Sequence, residues 1–376
     1  MNTHTRRIQG RHWRTGDWIE IRCDQQHIVS AENIQPNAAI QNWLAPGLID
    51  LQINGYGGID FQRDTVIESE WIQAIKALHR DGCPRFLLTL ITAPWPVMMR
   101  RLRHFKSIRD ANPKFMESCV GWHIEGPFLS EEPGYCGAHQ PACMEDPTLE
   151  HIRTLRSTAG DDPVLLTLAP ERPGSLEAIE EAIKLGIQVS LGHTNADSVS
   201  LKKAAKAGAM GFTHLGNACP QQLDRHDNLL FRAIDNGPWM TGLIPDKIHV
   251  SPTLFRMFHR LIPRDHIYYT TDAMSAAGAE PGRYTIGNLE LEVGEDQIVR
   301  QPGKSNFAGS ALRPCQGVVR AANMLGSSWR EVWEHFSEIP ARWMHLPTGL
   351  APGSPSNFCI VEERPGKELS IQVIES

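Results

Sequence analysis

From residue 46 the chain alternates two hydrophobic patterns. Short runs of nearly continuous apolar residues are followed by longer stretches with apolar positions every third or fourth residue. The runs are "PGLIDLQI" (46–53), "RFLLTLI" (85–91), "CVGWHIE" (119–125), "PVLLTLA" (163–169), "IQVSLGH" (187–193), "MGFTHLG" (210–216), "WMTGLI" (239–244) and "HIYYTTD" (266–272). Runs of this kind predict strands buried on both faces. Between most of them lie helical patterns, among them "ESEWIQAIKALHRDG", "GSLEAIEEAIKLG", "DSVSLKKAAKAG" and "SPTLFRMFHRLI". Several end in glycine, the usual residue just past a helix C-terminus.

Eight buried strands, each followed by a helix, predict a (β/α)8 TIM barrel, with a doubly wound open sheet as the competing layout. The polar residues favour the barrel. Gln52 and Asn54, Glu125, His193, His214 and Asp272 close five different strands. Functional groups gathered from many strand ends belong at the C-terminal mouth of a barrel. The chain ends read differently. Residues 1–45 and roughly 346–376 carry short alternating patterns ("WIEIRC", "FCIVEE", "LSIQVIE") that predict one small β-domain built from both termini, flanking a barrel of residues 46–345. Residues 282–300 predict a β-hairpin after the eighth strand.

Composition narrows the class without choosing a function. With 41% hydrophobic and 21% charged residues among 376, the chain is that of an ordinary folded protein. A net charge of −6 gives no footprint for nucleic acid or a membrane surface. No stretch approaches ~18 consecutive apolar residues, and the start lacks the apolar core of a signal peptide. The 8 cysteines are scattered without a CxxC pair, as expected of reduced thiols. A cytoplasmic location is the resulting expectation.

Glu125 raises the chemical question. An ionised carboxylate at the edge of a core is costly unless a positive group meets it. A lone histidine is ordinarily structural, but His193 and His214 end the fifth and sixth strands at the same rim. One carboxylate and two imidazoles with an open position suit a hydrolytic divalent ion, Zn²⁺ or Fe²⁺. Gln52 and Asn54 stand where a second ion would want imidazoles, so one ion per chain is expected. Asp272 is placed to act as general acid and base; an N-cap is the bland alternative. His139 and His249 lie on loops at the same rim. Arg225 and His226, in "QLDRHDN", offer a cationic loop that either meets a phosphate or is a solvated turn.

The motifs "APGLIDLQINGYGGIDF", "HIEGPFL", "LAPE", "GHTNA", "THLGNACP", "IHVSP", "TTDAMSAAG" and "FAGSAL", in this order, resemble N-acetylglucosamine-6-phosphate deacetylases of the amidohydrolase superfamily. The resemblance implies a barrel plus β-sandwich, a homodimer, and removal of acetate from a phosphorylated N-acetyl amino sugar. It implies metal ligation by Glu125, His193 and His214, and an acid/base role for Asp272. Substrate contact falls on Gln52, His139, Asn217, Ala218, Arg225 and His249, with the arginine reaching the sugar phosphate, in some members from the neighbouring subunit. The chain departs from the family pattern at Gly216, Cys219, Pro245, Lys247 and Arg313-Pro314, which touches the sugar and phosphate pockets and leaves the metal centre intact. The competing functions are an amidohydrolase for cyclic amides or N-acyl amino acids, and a sugar-binding barrel without catalysis.

Overall fold

The computed structural model describes residues 5–237, 239–302, 308–363 and 369–374. All eight expected barrel strands form. They are β1 (Ile49–Ile53), β2 (Arg85–Ile91), β3 (Cys119–Glu125), β4 (Val164–Leu168), β5 (Gln188–Leu191), β6 (Gly211–Phe212), β7 (Met240–Leu243) and β8 (Ile267–Tyr269). They pair in sequence order as one parallel sheet. A bridge between Ile53 and Ala273 joins its first edge to its last, so the sheet closes into a (β/α)8 barrel rather than an open layer.

Helices cover the outside of the barrel. Glu68–Arg80 buries Trp71, Ala74, Ile75 and Leu78, the i, i+3, i+4, i+7 face that its sequence displays. Ser175–Lys184, Ser198–Ala207 and Pro252–Leu261 match the other three quoted patterns. Trp95–Asp110, with its strongly basic outer face, fills a further position between β2 and β3.

Both termini meet in one six-stranded sheet, ordered 370–373, 359–362, 42–45, 6–12, 18–23 and 28–33. Its strands cover the three stretches expected from sequence; Glu375 of "LSIQVIE" lies outside the described residues. The excursion after β8 gains a third short strand: 282–286, 289–293 and 299–300 form an antiparallel sheet, not a simple hairpin. Among the described residues no helix is long and apolar enough to cross a membrane.

Candidate metal centre

The strand ends converge. Glu125 Oε1 lies 3.0 Å from His214 Nε2 and 3.3 Å from His193 Nε2. All three residues are buried, and their ligand atoms lie within 4.8 Å of one another. Ligands placed about 2.0–2.1 Å from one tetrahedral ion stand roughly 3.3 Å apart, so the spacing fits a single ion. Protonation makes the same point. His193 Nδ1 faces the Tyr135 carbonyl at 3.1 Å, so that nitrogen carries hydrogen. In neutral imidazole, Nε2 then presents a lone pair to a carboxylate oxygen, a repulsive contact that only a proton or a cation relieves. Burial alone would push the Glu125 carboxyl up, yet hydrogen bonds from His193 and His214 hold it well below the usual range. The glutamate is therefore met by two imidazole nitrogens at the spacing of ligands to one ion.

Local backbone enforces this geometry. Gly126, directly after Glu125, has φ +89, and a Cβ there would stand 2.1 Å from Thr92 Oγ1. His193, His214, Ala218 and Asp272 all have positive φ (49°, 29°, 48° and 51°). Residues other than glycine persist in this region when their surroundings over-determine them, which is common at functional sites.

Asp272 sits beside the triad. Its Oδ1 accepts from Gln52 Nε2 at 2.9 Å and from Asn54 Nδ2 at 2.7 Å. Gln52 Nε2 also donates to Glu125 Oε1 at 2.9 Å, so one amide spans the two carboxylates. Burial, and next the charge of Glu125, push the Asp272 carboxyl up to about 7. A cavity of about 530 Å³ opens over these groups, lined by Asn54, Glu125, His139, His193, His214, Asn217, Ala218, His249 and Asp272 among others.

Eight of the ten singled-out residues thus face one cavity. Gln52 is buried and is not among the lining residues, its amide bonded to both carboxylates. Arg225 is exposed on its loop and is not among the lining residues. Of the divergent positions, Gly216 and Cys219 line the cavity, while Lys247 is exposed beside it with φ +67. Arg313 stands 3.4 Å from Asp81, and Pro314 opens a helix; neither lines the cavity. Phe307 of "FAGSAL" lies outside the described residues.

Sequence reasoning missed the residues that hold the others. Thr92 Oγ1 bonds His139 Nδ1 at 2.8 Å and donates to the Glu125 carbonyl at 3.2 Å. Asp246 Oδ2 lies 2.6 Å from His249 Nδ1. Although burial opposes it, the Asp246 charge raises His249 above the usual histidine range. The i, i+3 spacing of Asp246 and His249 was a readable signal; nothing local marked Thr92.

No family model matches the chain. It is 34% identical over 331 residues to N-acetylglucosamine-6-phosphate deacetylase of Danio rerio, covering 85% of this chain and 80% of that protein. To N-acetylgalactosamine-6-phosphate deacetylase of Shewanella sp. it is 30% identical over 306 residues, covering 81% of this chain and 75% of the relative. In fold it matches a variant of N-acetyl-D-glucosamine-6-phosphate deacetylase from Mycobacterium smegmatis, solved in complex with N-acetyl-D-glucosamine-6-phosphate. That match has a TM-score of 0.81 and 28% identity, over 92% of this chain and 91% of the other. With this identity spread along most of both chains, the protein belongs to the N-acetylglucosamine-6-phosphate deacetylase family.

Proposed function

We propose that this chain hydrolyses the acetamide of N-acetylglucosamine 6-phosphate, or of a closely related N-acetyl amino sugar phosphate, to the free amine and acetate. The observation that carries the reading is the buried Glu125–His193–His214 triad with Asp272 tethered beside it. Glu125, His193 and His214 would hold one divalent ion, with Zn²⁺ the best fit to a carboxylate and two imidazoles and Fe²⁺ the other candidate. Such an ion supplies Lewis acidity to the acetyl carbonyl and lowers the pKa of the attacking water.

The chain's own residues do the rest. Asp272 Oδ2 takes a proton from the attacking water as its oxygen bonds to the carbonyl carbon. The same carboxyl then returns the proton to the nitrogen as the C–N bond breaks, leaving acetate and amine. Gln52 and Asn54 hold Oδ1, which keeps Oδ2 aimed at the water. His139, His249, Asn217 and Ala218 form the walls against which the sugar is oriented, and Gln52 fixes the floor.

Arg225 reads the phosphate from a neighbouring copy in a homodimer, a reading supported by its exposure outside the cavity of its own chain. A guanidinium grips phosphate oxygens through paired hydrogen bonds. The chain divides functionally into residues 1–45 with 346–376, and the barrel of 46–345, and works in the cytoplasm. Acetate release from a panel of N-acetyl sugars, each with and without 6-phosphate, tests the reading. Preference for a phosphorylated N-acetyl amino sugar is the expected result. Turnover confined to cyclic amides or N-acyl amino acids would overturn it.

A further inference from the structure

Asp50 is a fully buried carboxylate on β1 that the reaction outlined above does not use. It stands at the seam of the barrel, where β1 meets the segment just after β8; among the described residues, the Ile53–Ala273 bridge and the bonds from Asn54 and Gly55 to the Ala273 carbonyl pair the two backbones there. Below that bridge, the Asp50 side chain links β1 to the two threonines that follow β8. Its Oδ1 accepts from Thr270 Oγ1 at 2.6 Å and from the Gln52 amide at 3.1 Å. Its Oδ2 accepts from the Thr271 amide at 3.0 Å and from Thr271 Oγ1 at 2.6 Å. Every one of these partners is a donor, so the ionised carboxylate is the form that satisfies them all.

The chain of bonds leads to Asp272. Thr271 Oγ1, having donated its hydrogen to Asp50, accepts from the Ala273 amide at 3.1 Å. That bond spans Asp272 and closes a tight loop around it, at the position where φ is +51. On the other side Ser310 completes the clamp, donating from Oγ to the Thr271 carbonyl at 2.5 Å and from its amide to the Asp272 carbonyl at 2.9 Å. Asp50 also orders the backbone of Gln52, whose side chain holds Asp272 Oδ1.

We infer that Asp50 is a positioning residue for the reaction: through Thr271 and Gln52 it locks the left-handed backbone and the carboxyl direction of Asp272. The inference rests on Asp272 being the acid/base group. A displaced reacting group costs up to about 100-fold for each ångström of misplacement. Asp50→Asn swaps one acceptor for an NH₂ facing donors, and kcat should fall about 10–100-fold with KM within about threefold and bound metal unchanged. Thr271→Val should do the same, and Thr271→Ser, which keeps the hydroxyl, should recover kcat to within about threefold.

A merely structural role would lower the active fraction alike in any background, so the deciding experiment repeats Asp50→Asn in Asp272→Asn. The residual rate of the double variant should equal that of Asp272→Asn alone. Equal fractional losses in both backgrounds, or a Thr271→Val enzyme with wild-type kcat, would overturn the inference. If Asp50→Asn does not fold, the Thr271 pair decides in both backgrounds. Asp272→Asn within a few-fold of wild type would overturn the acid/base reading itself and this inference with it; the first two outcomes leave that reading standing.

Discussion

Replacing Asp272 by asparagine separates its load on the fold from its part in the reaction. Gln52 Nε2 and Asn54 Nδ2 both donate to Oδ1, so the amide oxygen must remain there and the NH₂ must occupy the place of Oδ2. An NH₂ cannot take a proton from water, and turnover should fall ~10²–10⁴-fold. The same change removes a carboxyl that burial, then Glu125, push up from 3.8 to about 7. A carboxyl raised in this way favours its protonated form in the fold, so its ionised form opposes folding. That opposition is absent below about pH 4, grows up to about pH 7 and is complete above. About three units at 1.36 kcal/mol each amount to roughly 4 kcal/mol in metal-free protein. An unfolding entropy of about 2.1 cal/mol/K per residue, over 376 residues, converts this to roughly 5 °C. Metal-free Asp272→Asn should melt roughly 5 °C above metal-free wild type at pH 8 and only about 2 °C above it at pH 5. Circular-dichroism melts of chelated protein at both pH values, with acetate release assayed in parallel, make the measurement. A melting difference that ignores pH, or turnover within a few-fold of wild type, would refute the reasoning.

His193→Ala and His214→Ala should each lose bound metal and turnover together, by elemental analysis and acetate release; a variant that keeps full metal would remove that histidine from the ligand set. Arg225→Lys should raise KM for the phosphorylated sugar about tenfold or more and leave the unphosphorylated sugar nearly unchanged, since an ammonium cannot copy the paired bonds of a guanidinium. Added Zn²⁺ should raise the melting temperature more at pH 8 than at pH 5.5, because the imidazoles must shed protons to bind and the ion offsets the Glu125–Asp272 repulsion. An equal rise at both pH values would contradict the triad as the binding site.

The eight barrel strands were legible because each is buried on both faces and reads as an apolar run whatever its neighbours do. The chemistry was legible where it interrupts those runs: Glu125, His193, His214 and Asp272 are polar residues at the ends of strands that otherwise exclude them. What sequence could not show is which atoms meet. Gln52 reads as a substrate contact; that its amide also lies 2.9 Å from a carboxylate oxygen of both Glu125 and Asp272, 73 and 220 residues away, no local pattern announces. Asp50 reads as one more residue of an apolar strand, since its partners Thr270 and Thr271 lie 220 and 221 residues away. Thr92 was hidden for the same reason, its imidazole partner lying on a loop 47 residues on. The third strand after β8 is two residues long, too short to carry a period.

The most direct test of the account is a metal titration against rate. Protein stripped by a chelator is reloaded with Zn²⁺ in steps, and acetate release from N-acetylglucosamine 6-phosphate is followed at each step. Activity should be absent at the start, rise in proportion to bound Zn²⁺, and level off at about one equivalent per chain, as one carboxylate and two imidazoles require. Full activity in the stripped protein, or none with one equivalent bound and any phosphorylated N-acetyl amino sugar supplied, would contradict it.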